Sequence, residues 1–320
     1  MNCFNKKIKT AFSLIEISIV ILIIGVAISG IVSGMYLFYD FKLGQAQSMT
    51  AKSPVISTPN LTLWLEATST NSFETERPLN NDKIAIWKDI NPQRTFKINV
   101  SQSDSTKQPT YIDNAINNLP ALKFVNDIEL RSDNLNLNDF LSSDQATIFL
   151  VQSNFSGDLT TTTISWVPTS NNSDNGSETA RISVFAQTSN LVIFDYGVAG
   201  GATANRVATL NLNSFNDKNK IISFLKNSNN SDIRINYDET VIANSSATAS
   251  VSASLSAPFI IGKFRTNSDY FFNGNLGEII IFDRALNENE RKKIEEYLGE
   301  KWGILIRKSY ETQSGGSSEF

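Results

Sequence analysis

From Ile17 to Tyr39 the chain runs for 23 residues without a charged side chain. That is long enough to cross the hydrocarbon core of a bilayer as a helix. Lipid offers no partner for a bare backbone, so an apolar run of this length commits the segment to helix. Immediately before it stands Glu16, and no basic residue within the run is available to pair with it. A carboxylate at the end of a membrane-spanning segment is costly unless partnered, which marks Glu16 as a functional position. Lys6, Lys7 and Lys9 precede the run and place the N-terminus in the cytoplasm. A secretory signal peptide would carry a shorter apolar core with a small-x-small cut site after it. Here the processing point lies ahead of the run, at Ala11-Phe12.

The bulk numbers exclude several functions for the remaining chain. A net charge of −4 over 320 residues leaves no basic face for a phosphate backbone, so nucleic acid is not expected as a partner. Histidine is absent, which removes the commonest general base and the commonest zinc ligand. The one cysteine, Cys3, lies in the basic leader, so the rest of the chain carries no disulfide chemistry. The oxygen-rich stretch Ser173-Asp174-Asn175 lacks the ligand spacing of a calcium loop, and no metal or cofactor is expected.

The N-terminal helix, 12–53, spans the membrane over about 17–39 and should stop before Pro54, since proline pushes the preceding residue out of the α region. Small residues, Gly25, Ala27, Ser29, Gly30, Ser33 and Gly34, allow close helix packing within it. A linker, 54–60, follows. From Leu61 the pattern becomes short β-branched and aromatic runs split by Asn, Ser, Asp and Gly, among them Leu61–Leu65, Lys83–Trp87, Ala146–Val151, Arg181–Phe185, Leu191–Tyr196, Lys220–Leu225, Ile233–Tyr237 and Phe259–Ile261. Many short strands at intervals of about ten residues predict an antiparallel sandwich. Leu63, Trp64, Ile86, Trp87, Ile280 and Phe282 are expected in its core. The chain then reads as a strand, Gly277–Phe282, a turn, Asp283–Leu286, and a helix capped by Asn287 with Glu290 bonding back. Ile294, Tyr297, Leu298 and Trp302 share one face of that helix, and Gly303 closes it. Residues 304–320 read as a flexible tail rich in Ser and Gly.

Two resemblances follow from these residues. Lys9-Thr10-Ala11-Phe12-Ser13-Leu14-Ile15-Glu16 resembles the leader of type IV prepilins and type II secretion pseudopilins, although that family usually has glycine where this chain has Ala11. The resemblance implies a leader peptide, 1–11, cut after Ala11 by a prepilin peptidase, and methylation of the new N-terminal Phe12. It assigns Glu16 to assembly, pairing with the α-ammonium of a neighbouring subunit's Phe12.

The segment 61–303 resembles the concanavalin A-like, or laminin-G-like, jelly roll. The residues that carry this are Leu63-Trp64-Leu65-Glu66-Ala67, Ile86-Trp87-Lys88-Asp89, Gln108-Pro109-Thr110-Tyr111, Asn118 to Phe124, Phe272 to Leu286 and Tyr297 to Gly303. The implied fold class is mainly β, a jelly-roll sandwich with a C-terminal helix, preceded by a transmembrane helix.

Together the resemblances imply a minor pilin or pseudopilin of a type IV pilus or type II secretion filament. It would be a single-pass precursor in the bacterial inner membrane, with its head periplasmic or extracellular and displayed for adhesion. The implied partners are the prepilin peptidase, other pilin or pseudopilin subunits, and a glycan or surface-protein ligand. The alternative is a membrane-anchored glycan-processing enzyme that uses the helix only as a tether.

Related jelly-roll glucanases place carboxylates on one strand as Glu-x-Asp-x-x-Glu, and this chain has no Glu-x-Asp. Glu278 and Asp283 are odd-spaced and would face opposite ways on a strand, which suits bonding of the turn before the helix better than catalysis. No catalytic residue is therefore assigned and the chain is not expected to be an enzyme. For sugar binding, Asn267-Ser268-Asp269-Tyr270-Phe271 and Asp195-Tyr196 combine amides, acids and aromatic faces, without fixing a ligand site.

Overall fold

The computed structural model describes residues 13–142, 144–154, 160–168, 181–187, 191–197, 206–211, 219–228, 231–236, 255–264 and 270–306. The chain divides into two units, Met1–Gly44 and Gln45–Phe320. The first holds most of α1 (Leu14–Ala51), 38 residues of helix in all. Its large apolar side chains from Leu14 to Phe41 are exposed on every side, and its most apolar stretch has a mean hydropathy of 2.7. The helix is long and apolar enough to cross a membrane.

The second unit starts in the last turns of α1 and continues through α2 (Pro54–Ser57), β1 (Leu61–Glu66), β2 (Ile86–Trp87), β3 (Val100–Ser101), β4 (Thr110–Ile116), β5 (Leu119–Phe124), β6 (Leu130–Asn136), α3 (Leu137–Phe140) and β7 (Ala146–Asn154). Then come β8 (Thr160–Trp166), β9 (Arg181–Gln187), β10 (Leu191–Gly197), β11 (Arg206–Asn211), β12 (Asn219–Lys226), β13 (Ser231–Ile235), β14 (Ser256–Ile261), β15 (Gly274–Phe282) and α4 (Glu288–Trp302). Ser53, extended ahead of Pro54, separates α1 from α2. The stretch read as a plain linker thus contains one helical turn.

The strands form the expected antiparallel sandwich. One sheet runs β13-β12-β7-β15-β5-β4, with β1 also on β15, and the other runs β11-β10-β9-β8-β14-β6-β3-β2. Alternation along each strand sorts side chains into two cores. Between the sheets lie Leu63, Leu65, Trp87, Leu150, Trp166, Phe194, Phe224, Phe259, Ile279 and Ile281. On the outer face of the first sheet, under α4, lie Trp64, Phe149, Ile221, Ile280, Phe282, Ile294, Leu298 and Trp302. Ile86 is the exception among the expected core residues and is half-buried beside the fully buried Trp87. The strand expected to reach Tyr237 stops at Ile235, because Asn236 turns left-handed at φ 50°.

Local chemistry fixes the ends of α4. Asn287 accepts from the Glu290 N–H while the Glu290 carboxylate accepts from the Asn287 N–H, a reciprocal capping box. At the other end Gly303 adopts φ +61°, and the Asn117 amide donates to the carbonyls of Trp302 and Gly303 at 3.0 Å each. Asn117 and Asn118, both at positive φ, make the two-residue turn joining β4 to β5, so one hairpin tip also caps the helix.

The hydrogen bond from Arg284, reinforced by the Asn287 N–H, holds the Glu290 carboxyl below its ordinary 4.5. The fold therefore favours the ionised form. Its contribution is present above pH 4.5 and is lost as pH falls through the lower folded value. Glu290→Gln is expected to flatten this part of the acid-denaturation profile, and acid midpoints identical to wild type would count against the cap.

Candidate functional site

A cleft of about 300 Å³ opens where β1 meets the last turns of α1, wholly within the second unit. Its floor is Trp64, which strand alternation turns away from Leu63 and Leu65 and onto the outer face of the sheet. Gln47, Thr50 and Ala51 of α1 and Ile56 of α2 form one wall. The opposite wall is Ser69, Thr70 and Asn71 from the loop after β1, with Ile90 and Pro92. The lining is hydroxyl, amide and apolar, and none of these ten side chains carries a charge.

The walls are tied down. Gln47 donates to the Thr68 carbonyl at 2.9 Å, joining the helix to the loop. The Asp89 carboxylate accepts from the backbone N–H groups of Trp64 (3.0 Å), Asn91 (3.0 Å) and Ile98 (3.1 Å), which fixes the Ile90–Pro92 segment against β1. Burial pushes the Asp89 carboxyl above its ordinary 3.8, with those three donors pulling the other way. The Trp64 carbonyl in turn accepts from the Ile90 N–H at 2.9 Å.

Behind Trp64 lies a fully buried charge cluster. Strand register sets Glu66 of β1 opposite Glu278 of β15, and Lys301 of α4 reaches between them, 2.7 Å from one carboxylate and 2.8 Å from the other. Glu278 accepts from Trp64 Nε1 and Trp302 Nε1 at 2.8 Å each and from the Tyr297 hydroxyl at 3.3 Å. Glu66 accepts from the Thr68 N–H at 2.8 Å and from the Thr68 hydroxyl. Burial lowers the pKa of Lys301, but the Glu278 and Glu66 carboxylates outweigh it, so the ammonium is held protonated. Burial raises both the Glu278 carboxyl and the Tyr297 phenol, and the phenol therefore stays a donor. The side chains of Glu66, Glu278 and Lys301 are 0% exposed, so this carboxylate pair has no room to flank a glycosidic bond.

The structure revises several sequence assignments. Glu278 bonds no turn; it is the centre of the clasp under α4, while Asp283 sits apart and faces Arg94 at 3.8 Å. Trp302, on the apolar face read for the C-terminal helix, is a fully buried core anchor. Tyr196 is also core, its hydroxyl donating to the carbonyls of Ser142 and Gln145, whereas Tyr270 is 48% exposed with its ring 6.1 Å from that of Phe264. Asn267 to Asp269, Ser173 to Asn175, Ala11 and Phe12 lie outside the described residues.

Glu16, expected to need a partner from another subunit, accepts a hydrogen bond from the Ser13 N–H at 2.8 Å, and the Ser13 hydroxyl accepts from the Ile15 N–H at 3.4 Å. Ser13-x-x-Glu16 is a capping arrangement, with the carboxylate at the positive end of the helix dipole.

No protein-family model and no curated protein matches the chain. Solved structures similar to it include a Trypanosoma rangeli sialidase in complex with 2,3-difluorosialic acid (TM-score 0.48, 11% identity, covering 82% of this chain and 38% of that one). Others are the NanB sialidase of Streptococcus pneumoniae with a chlorobenzyl-ammonio ethanesulfonate (TM-score 0.38, 12% identity, 51% and 26%) and the CBM40 of a Ruminococcus gnavus IT-sialidase bound to alpha2,3 sialyllactose (TM-score 0.38, 11% identity, 47% and 80%). The chain thus spans between about a quarter and two fifths of the two sialidases. The likeness is one of fold.

Two expectations are corrected here. The expectation of a pilin or pilus subunit is set aside, the similar solved structures being sialidases and a glycan-bound module. So is the expectation that the chain is no enzyme, since sialidases stand among those structures; a likeness of fold assigns this chain no activity of its own.

Proposed function

We propose that this chain engages glycans at a membrane surface, the jelly roll binding a sugar in the Trp64 cleft and the N-terminal helix serving as tether alone. The observation that carries the reading is the cleft itself. It has about 300 Å³, with hydroxyls and amides from Gln47, Thr50, Ser69, Thr70 and Asn71 and exposed apolar surface from Ala51, Ile56 and Pro92 in front of the buried Trp64, and this mixture suits a polyhydroxylated ring with one apolar face. Lys6, Lys7 and Lys9 ahead of the span support a cytoplasmic N-terminus with the jelly roll on the other side.

The test is a glycan array probed with the full chain in nanodiscs, with release of reducing sugar measured on every glycan bound. Asn71 and Thr70 sit exposed on the cleft rim and can be changed without touching the core. Asn71→Ala is expected to weaken binding about three- to tenfold, the loss of one hydrogen bond to the sugar. Binding that survives both Asn71→Ala and Thr70→Ala unchanged would place the ligand elsewhere and sink the reading.

A further inference from the structure

We infer that the Trp64 cleft selects neutral sugars and turns away acidic ones, sialic acid among them. The inference rests on the glycan reading above and names its ligand class.

A carboxylate moved out of water needs a cation or several donors aimed at it, and an unpaired one costs far more than a hydroxyl. The cleft supplies no such cation, because its polar lining is Gln47, Thr50, Ser69, Thr70 and Asn71. The titratable groups bonded to Trp64 are carboxyls, which offer an acidic ligand no positive charge. Asp89 holds the Trp64 backbone N–H at 3.0 Å and Glu278 holds its indole N–H at 2.8 Å. Lys301, the cation of that cluster, is clasped between Glu66 and Glu278 with its side chain 0% exposed, so it cannot turn toward a ligand. A neutral ring meets none of these penalties. Its hydroxyls, or an N-acetyl amide, find matching donors and acceptors on Asn71, Thr70 and Gln47, and its C–H face meets the exposed Ile56 and Pro92.

The experiment is calorimetric titration of the full chain in nanodiscs with sugars paired to differ only at C6, hydroxymethyl against carboxylate: glucose against glucuronic acid and galactose against galacturonic acid. N-acetylglucosamine, N-acetylneuraminic acid and sialyllactose are added as single probes. The neutral member of the bound pair is expected to bind about tenfold or more tightly than its acidic partner. Asn71→Lys, which sets a cation on the exposed rim, should raise the acidic member several-fold and narrow the gap. Acidic sugars bound by wild type as tightly as neutral ones, with Asn71→Ala weakening both, would overturn the selectivity and leave the glycan reading standing. A gap unmoved by Asn71→Lys would overturn the charge argument. Failure of every sugar to bind would overturn the glycan reading and this inference with it.

Discussion

Lys301→Met is expected to destabilise the jelly-roll unit by about 3–5 kcal/mol at neutral pH, the scale of removing one partner from a buried ion pair. The substitution leaves Glu66 and Glu278 facing each other across β1 and β15 with no cation and no water to screen them. The loss should shrink as pH falls. Burial already raises the Glu278 carboxyl, so the fold favours its protonated form, and protonation on the acid side removes the repulsion. Adding Glu66→Leu should recover more than half of the deficit, because Glu278 then keeps its indole donors from Trp64 and Trp302 and the Tyr297 phenol. Urea denaturation followed by tryptophan fluorescence, with the full chain in detergent micelles, measures all three. A single-substitution loss below about 1 kcal/mol, or a double variant no better than the single, would mean that the clasp does not hold α4.

The same cluster shows where sequence reasoning stops. The apolar span, the strand alternation from Leu61, the Asn287–Glu290 cap and the Gly303 stop are local patterns, and each is readable from a few consecutive residues. Glu66 and Lys301 are 235 positions apart, and only the β1–β15 register together with the packing of α4 brings them into contact. A faint signal was present. Glu66 is in phase with Trp64 rather than with Leu63 and Leu65, which puts a carboxylate on a strand face that a second apolar layer covers. The cleft gave less, since its walls come from separate stretches of ordinary Gln, Thr, Ser and Asn that turns use everywhere. At Glu16 the local part was legible: Ser13-x-x-Glu16 before an apolar run is a helix-start pattern, and the Ser13 N–H three residues away donates to the carboxylate.

Gly277→Ala is expected to cost about 3 kcal/mol, large for a single methyl group. A Cβ at this position would stand 2.5, 2.8 and 2.9 Å from three atoms of the Trp302 ring. The register of β15 against β7 slips between Leu276 and Glu278, so Gly277 is the irregular residue of the strand, and the close approach of α4 is made over it. The ring has little freedom to retreat. Trp302 is 0% exposed and its indole N–H donates to Glu278 at 2.8 Å, so relief requires losing that bond or lifting the helix. Since Glu278 also holds the Trp64 indole, the disturbance should reach the floor of the cleft and weaken glycan binding together with stability. Trp302→Phe supplies the control, because a smaller ring loses packing and the indole bond yet makes room for the methyl group. The double variant should therefore be markedly more stable than the sum of the two single losses, a positive coupling that a denaturation cycle reads directly. Strict additivity would show that the methyl group is accommodated without touching Trp302, and that glycine at 277 answers to the bulge alone.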